Sequence, residues 1–265
     1  MDLSGWHCCD QPGFGLKLTT MSLQDFQDKF SDPDSHRMKE LILANTRPGG
    51  TALLGDIIRL YLAAEDLPLW QAGEKELEKL GIAPPFWAFA WAGGQALAQY
   101  ILDNPDLVKG KRVLDFACGS GLQGIAALKA GAAEVLAADI DPHAIAATDL
   151  NAALNQVRLI TTSENLIGRS NPGWDLVLAG DVCYDGPMAD EIMTWLHKLA
   201  ASGTQVLLGD PGRTYLPRQG LQRLISYSVQ TTSALEDTDV RNAVVWELIP
   251  SEQKYGKDQE EKSFS

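Results

Sequence analysis

The stretch Lys111–Asp141, KRVLDFACGSGLQGIAALKAGAAEVLAADID, decides the fold of this chain. Two short apolar runs, around Val113 and Val135, each end in an aspartate, and a glycine-rich turn and a helical segment lie between them. This order predicts a buried strand, a tight turn, a helix and a second parallel strand. It is typical of the unit that opens a nucleotide-binding α/β domain.

The glycine turn predicts where a nucleoside-bearing ligand approaches the backbone. Gly119, Ser120 and Gly121 follow the first strand, and glycines allow positive φ and leave no Cβ in a ligand's way. Roughly twenty residues after the turn begins, Asp139 ends the second strand, where a carboxylate can hold two ribose hydroxyls. We assign these residues, with the neighbouring Ile140, to a cofactor site.

Asp115 favours one cofactor over another. Residues 119–124, GSGLQG, also satisfy the dinucleotide pattern G-x-G-x-x-G, so an NAD-linked oxidoreductase is one interpretation. A dinucleotide places its pyrophosphate over the helix N-terminus, where the carboxylate of Asp115 at the strand tip would repel it. S-adenosylmethionine has no phosphate and carries an α-amino group and a sulfonium, so negative charge at this turn favours it.

Composition excludes several classes of partner. The 265 residues include 22 basic and 35 acidic side chains, and a net charge of -13 disfavours a nucleic-acid partner. The four cysteines form no C-x-x-C pair, which argues against a metal site or a disulfide framework. No apolar run approaches the roughly 20 residues that span a bilayer. Because the N-terminal segment is acidic, unlike a transit peptide, we expect a soluble cytoplasmic protein with no membrane partner.

The pattern of the rest of the chain predicts an α/β domain with additions at both ends. Five parallel strands alternate with helices and are followed by an antiparallel pair over 226–232 and 242–249, which makes a seven-stranded sheet. Apolar spacing also predicts amphipathic helices near 38–43, 54–62 and 216–225. The expected divisions are a poorly ordered segment 1–36, a helical extension 37–83, the α/β domain 84–250 and a disordered tail 251–265.

Polar residues at the ends of later strands are candidates for the rest of the site. Asp181 and Tyr184 follow the fourth strand; a carboxylate there can orient an incoming ammonium group and a phenol can wall the acceptor slot. An ordinary strand-end turn is the other interpretation of this pair. Glu164 follows the third strand, within reach of an adenine edge. Trp91 either packs in the core or places its indole on a sulfonium.

Several stretches together resemble one family. They are PPFWAFAWAGGQALAQYILDNPDLVKGKRVLDFACGSG, AADIDPHAI, WDLVLAGDVCYDGPMADEIMTWL and VLLGDPGR. These are similar to the lysine methyltransferases that modify the β subunit of the electron-transfer flavoprotein, which belong to the seven-β-strand protein methyltransferases with a D-x-x-Y motif. The similarity covers roughly residues 50 to 250.

The resemblance implies a Rossmann-like, seven-stranded class I fold that uses S-adenosylmethionine, releases S-adenosylhomocysteine and methylates lysine on the flavoprotein β subunit. Asp181 and Tyr184 fall on the D-x-x-Y pair. The acidic N-terminal segment differs from the transit peptide of mitochondrial members and implies a bacterial form. A methyltransferase for small amines and a non-catalytic binding module stay open. By this resemblance the donor-binding positions are Trp91, Asp115, Gly119, Ser120, Gly121, Asp139 and Gly180.

Overall fold

A computed structural model describes residues 33–63, 84–231 and 240–250. The tail 251–265 and nearly all of the segment 1–36 lie outside the described residues, so the predictions of disorder there are not tested. Within the described part, the first helix begins at Pro33, four residues before the expected boundary at 37.

A seven-stranded mixed sheet forms the centre of the molecule, as predicted. Its spatial order is β5-β4-β3-β6-β7-β9-β8; the first five strands are parallel, and β9 runs antiparallel between β7 and β8. The chain winds outward from β3 to β5 and then returns to β6, so the winding reverses between β3 and β6. Ligands bind at such a reversal, beyond the carboxyl ends of the strands. The strands are β3 (Arg112–Phe116), β4 (Glu134–Ala138), β5 (Ile160–Thr162), β6 (Leu176–Gly180), β7 (Gln205–Asp210), β8 (Leu221–Gln230) and β9 (Val240–Leu248).

Helices cover both faces of this sheet because alternate strand residues point to opposite sides. On one face Leu97 and Ile125 are fully buried, and on the other Trp195 and Leu196 pack against the sheet. A smaller cluster around Ile42 joins the N-terminal helix to the domain. The described helices are α1 (Pro33–Asn45), α2 (Ala92–Asp103), α3 (Leu122–Lys129), α4 (Pro142–Leu154) and α5 (Gly186–Ala201), with 3-10 turns at Phe86–Ala88 and Pro105–Leu107.

The helix predicted over 54–62 is wrong, because this segment is a strand. It forms β2 (Gly55–Leu62), which pairs antiparallel with β1 (Arg47–Thr51) in a separate hairpin. Ile57 is 58% exposed whereas Ile58 is fully buried, so burial near the start of β2 does not follow a helical stripe. The N-terminal extension is therefore a helix and a hairpin in its described part.

The helix predicted over 216–225 is also wrong. Residues 216–220 form an irregular loop, and β8 begins at Leu221, earlier than expected. Leu221 pairs with Leu248, and the register of β8 on β9 shifts between Arg223 and Ile225. The apolar spacing of Leu221, Leu224 and Ile225 fits a helix, but the hydrogen bonds offered by β9 select the strand.

Candidate active site

A cavity of about 480 Å³ opens at the carboxyl ends of β3, β4, β5 and β6. This volume lies within the range of roughly 300–1,000 Å³ that is usual for cofactor pockets. The cavity therefore occupies the edge of the sheet that the topology marks for a ligand. Most of the predicted site residues line it: Trp91, Gly119, Asp139, Ile140, Glu164, Gly180, Asp181 and Tyr184.

Asp139 is held in place by the backbone of two turns. Its Oδ2 accepts a hydrogen bond from the backbone N–H of Gly119 at 2.9 Å, and its Oδ1 accepts one from that of Asp141 at 3.0 Å. Burial raises the pKa of this carboxyl, although these N–H donors act in the opposite direction. The glycine turn and the acidic strand end are thus one rigid unit, and Gly119 takes the positive φ of 52° that such a turn requires.

Asp181 is buried and accepts hydrogen bonds from two kinds of donor, a backbone N–H and a guanidinium. Its Oδ2 accepts a hydrogen bond from the N–H of Gly94 in the first turn of α2 at 2.8 Å. Its Oδ1 accepts two from Arg213, from Nε at 3.1 Å and from Nη2 at 2.7 Å. Asp181 has a φ of 59°, a left-handed conformation that aspartate tolerates better than most residues. The side chain is therefore fixed as half of an ion pair at the cavity wall.

Aromatic rings surround the mouth of the cavity beside this ion pair. Tyr184 is 47% exposed, and its ring centroid lies 5.5 Å from that of Phe86. Trp91 donates from Nε1 to the carbonyl of Phe86 at 2.8 Å, and the guanidinium of Arg213 lies 5.5 Å from the centroid of its ring. Burial, with Asp139 and Asp185 nearby, raises the pKa of the Tyr184 phenol, which is therefore neutral near pH 7.

The charge of the cavity wall suits a cation. Among the described lining residues the carboxylates outnumber the single guanidinium, that of Arg213. A pyrophosphate would be repelled here, whereas a sulfonium with an α-amino group is attracted. The acidic lining residues are Asp139, Asp141, Glu164, Asp181 and Glu191.

Comparison with known proteins gives the family. The electron transfer flavoprotein beta subunit lysine methyltransferase of Xenopus laevis is 40% identical over 218 residues, which cover 80% of this chain and 87% of that protein. The Homo sapiens protein of the same name is 36% identical over 230 residues, which cover 83% and 84%. The chain belongs to this methyltransferase family.

A second family matches the donor half of the domain. The model of the ribosomal protein L11 methyltransferases matches residues 95–181, from α2 to the start of the turn after β6. The L11 methyltransferase of Vibrio cholerae is 56% identical over 62 residues, 23% of this chain and 21% of that protein. The chain is thus an S-adenosylmethionine-dependent methyltransferase, as predicted, and the NAD-linked alternative is not supported.

Three residues assigned to the donor do not line the cavity. Asp115 is fully buried beneath the turn, and its Oδ2 accepts a hydrogen bond from the N–H of Gly124 at 2.8 Å. Burial raises its pKa well above the ordinary value. Ser120 is buried in the turn before α3, and Gly121 is the N-cap residue of that helix. Asp115 therefore holds the turn from below and does not face the cavity.

Glu164 and Ile140 lie at the more open side of the cavity. Ile140 is 66% exposed, and Glu164 forms an ion pair with Arg169, Nη1 to Oε2, at 2.9 Å. Both residues flank the carboxyl ends of β4 and β5, on the side away from Asp181. Their predicted contact with the adenosine part of the donor stays a prediction.

Several residues that support the site lie outside the sequence motifs and were not predicted. Arg213 follows β7, which pairs in parallel with β6, so the same sheet edge that places Asp181 also places this guanidinium. Thr148 and Asn151 on α4 donate to the carbonyls of Gly119 and Ser120 at 3.1 and 2.8 Å. Their spacing could have indicated this role, because two polar residues three apart on an otherwise alanine-rich helix lie on the same face.

The described residues show no cluster of three or more His, Cys, Asp or Glu side chains able to hold a metal ion. Over the same ranges, no helix has both the length and the apolar character to cross a bilayer.

Cys118 and Cys183 are both buried as free thiols, and burial raises the pKa of Cys183 to about 12.

Proposed function

We propose that this methyltransferase transfers methyl groups from S-adenosylmethionine to the Nε of lysine on the β subunit of the electron transfer flavoprotein. The substrate follows from the relatives, which bear that name and match this chain over most of their length. The observation that carries the proposal is that one cavity is lined by Asp139 and Gly119 on one side and by Asp181 and Tyr184 on the other.

The wall of the cavity fits the donor on three counts: its volume, its carboxylates, and a glycine turn that leaves the backbone open. Asp139 would hold the ribose hydroxyls. A Cβ on Gly180 would meet the Gln123 side chain at 2.8 Å, so packing behind the cavity wall requires glycine at this position. When bound, the donor supplies a sulfonium methyl group that a neutral amine displaces, leaving S-adenosylhomocysteine.

The chain's own residues would align the lysine and favour its neutral form. Asp181 alone would hold the acceptor as an ammonium, but its pairing with Arg213 makes the local charge close to zero. A protonated amine has no lone pair, so the lysine must lose a proton to water before it can attack. A carboxylate whose charge is balanced by a guanidinium can still orient the nitrogen, but it stabilises the ammonium form less and so raises the pKa of the lysine less. Tyr184, as a neutral phenol, would wall the slot together with Phe86.

A protein acceptor is favoured over nucleic acid, since a net charge of -13 repels phosphates. The absence of a nucleic-acid partner and the cytoplasmic location stay predictions. So does the division of the chain into extension, catalytic domain and tail.

The test is transfer of labelled methyl to purified flavoprotein β subunit, with free lysine as a second acceptor. We expect label on lysine of the protein and far less on free lysine. Asp181→Asn should lower the rate by at least about 100-fold, or close to 3 kcal/mol of activation free energy, while binding of S-adenosylhomocysteine persists.

Asp175→Asn is the matched control, because Asp175 precedes β6 at the opposite edge of the sheet and accepts from the N–H of Arg112 at 2.8 Å. It should keep full activity. No label on the protein while donor binding is intact would overturn the substrate assignment, and preferential labelling of free lysine would point to a small-amine methyltransferase.

A further inference from the structure

A second cavity, of about 230 Å³, adjoins the cavity proposed for the donor. The two cavities meet at Tyr184 and Arg213, which line both. The rest of the second cavity comes from the turn after β7 and from one residue of β9. A group bound there therefore lies next to the acceptor slot but outside the donor site. The lining residues are Tyr184, Pro211, Gly212, Arg213, Thr214 and Arg241.

The second cavity has the opposite charge to the donor cavity. Its charged lining residues are Arg213 and Arg241, and no carboxylate of the described chain lines it. The donor cavity, in contrast, is lined by five carboxylates and one guanidinium. Two guanidiniums in one cavity of a protein with a net charge of -13 mark a place that suits an anion.

Arg241 supplies most of this positive charge. Arg213 directs Nε and Nη2 to the Asp181 carboxylate, which offsets its charge. A guanidinium carries five N–H donors in a planar fork, so one partner does not exhaust its capacity to bind a carboxylate. Arg241 is half-buried near the start of β9, where the strand fixes its position beside the turn.

The turn that forms the second cavity is held in place from below. The backbone N–H groups of Gly212 and Arg213 both donate to Oδ1 of the buried Asp210, at 2.6 and 2.7 Å. Further along, Tyr215 packs on the start of α5, where a Cβ on Gly186 would lie 2.9 Å from Tyr215 Cε1. At Gly212 a Cβ would meet nothing within 4 Å, so the turn leaves open space above its backbone. The cavity is therefore preformed.

The surface around the two cavities suits a protein. Phe86 and Tyr184 at the donor cavity, and Tyr215 directly after the turn, are all half-exposed. Exposed aromatic side chains are enriched where proteins bind one another. A free amine is too small to cover these rings, so the surface favours a folded protein as the source of the anion.

We propose that the second cavity binds a carboxylate on the surface of the protein substrate, close to the lysine that is methylated, and that Arg241 is a specificity-determining residue. This rests on the proposed function in taking a protein lysine as the acceptor. The acidic donor cavity attracts the lysine and the basic second cavity attracts the carboxylate. A substrate that carries both charges at the matching distance is therefore selected.

The test measures methyl transfer to purified flavoprotein β subunit by Arg241→Gln and Arg241→Glu. The KM for the protein should rise about tenfold in the first and about 100-fold in the second, with kcat within about twofold of the parent. Arg241→Lys keeps the charge and should recover most of the KM. Arg223→Glu is the matched control, because Arg223 is exposed on β8 and lines neither cavity; its KM should equal that of the parent.

A second set of variants identifies the carboxylate on the substrate. Each surface Asp or Glu near the methylated lysine of the β subunit is replaced by its amide. One of these substrates should raise the KM of the parent about tenfold and have little further effect with Arg241→Gln, because both changes remove the same contact. If every amide substrate affected the parent and Arg241→Gln equally, no substrate carboxylate would bind Arg241 and the proposal would be overturned.

Two measurements separate substrate binding from other effects. Calorimetry with S-adenosylhomocysteine and the midpoint of urea unfolding should give parent values for Arg241→Gln. Weaker binding of S-adenosylhomocysteine would assign the second cavity to the donor and overturn the proposal. So would an unchanged KM, or an equal rise of KM in Arg223→Glu.

These outcomes leave the proposed function intact, because the parent still methylates the β subunit in each of them. If the parent bound S-adenosylhomocysteine but placed no label on the β subunit, the proposed function would fail, and the role of Arg241 with it.

Discussion

The ion pair between Arg213 and Asp181 gives the sharpest prediction, because it lies at the cavity and is mostly buried. The side chains are 20% and 8% exposed, and Arg213 Nη2 lies 2.7 Å from Asp181 Oδ1. We predict that the two residues are strongly coupled in the free energy of unfolding. The perturbation is a double-mutant cycle of Arg213→Ala and Asp181→Asn, and asparagine suits the φ of 59° at position 181.

The magnitude follows from burial and charge. Unit charges about 4 Å apart attract by about 4 kcal/mol at an effective dielectric constant near 20. Desolvation of both groups offsets a large part of this, so we expect a coupling free energy of about 2 kcal/mol. Arg213→Ala alone should cost about 3 kcal/mol, because it leaves the carboxylate buried with one charged partner fewer. The double variant should cost clearly less than the sum of the single variants.

The assay is urea unfolding of the four proteins at equal ionic strength. The ion pair of Arg169 with Glu164 is the matched control: its 2.9 Å distance is similar, but the side chains are 55% and 61% exposed. A cycle of Arg169→Ala and Glu164→Gln should give a coupling below about 0.5 kcal/mol. Equal couplings in the two cycles, or additive effects of Arg213→Ala and Asp181→Asn, would show that burial does not strengthen this ion pair.

Three further predictions concern the turn and its carboxylates. Gly121→Ala should lower the free energy of unfolding in urea by about 2 kcal/mol, because φ is 76° and the Cβ would lie 2.7 Å from Thr148. Gly212→Ala is the control: φ there is 87°, but a Cβ would meet open space, so its free energy of unfolding should fall by less. Asp139→Asn should weaken S-adenosylhomocysteine at least about tenfold in calorimetry. Since burial raises the pKa of Asp115, its contribution to stability is full below the ordinary pKa of 3.8 and is lost as the pH rises through the raised pKa. In urea unfolding at a series of pH values above about pH 4, Asp115→Asn should remove this decline in the free energy of unfolding.

The donor half of the site was readable from the sequence because its signals are local. A strand, a glycine turn, a helix and a second strand follow one another within Lys111–Asp141, and the structure places them as that order predicts. The N-cap of α4 is equally local: Pro142 is its first residue, and the Asp141 side chain accepts from the N–H of His143. Such patterns need no knowledge of distant residues.

The N-terminal hairpin was not readable because distant side chains select it. The backbone N–H of Arg59 donates to Asn155 Oδ1 at 3.0 Å, and that of Tyr61 donates to Asn151 Oδ1 at 2.7 Å. Asn151 lies on α4 and Asn155 caps the C-terminus of that helix, and both accept from the backbone of β2, 90 and 96 residues away in sequence. The partner strand Arg47–Thr51 contains two glycines and a proline, a composition that does not predict a strand.

The active site shows the same division between local and distant signals. The pairing of Asp181 with Tyr184 is a local motif, but the neutralisation of Asp181 by Arg213 joins residues 32 apart in the chain. Asp115 shows the limit of reasoning from charge alone. Its residue type and position suggested direct attraction of the donor, yet the strand carries it beneath the turn, fully buried.

A crystal structure of this methyltransferase with S-adenosylhomocysteine would test the proposed donor site most directly. We expect the ribose hydroxyls on the Asp139 carboxylate, the adenine toward Glu164, and the sulfur facing the wall formed by Asp181 and Tyr184. A ligand whose sulfur points away from that wall, or that binds outside the cavity beyond β3 and β6, would contradict it.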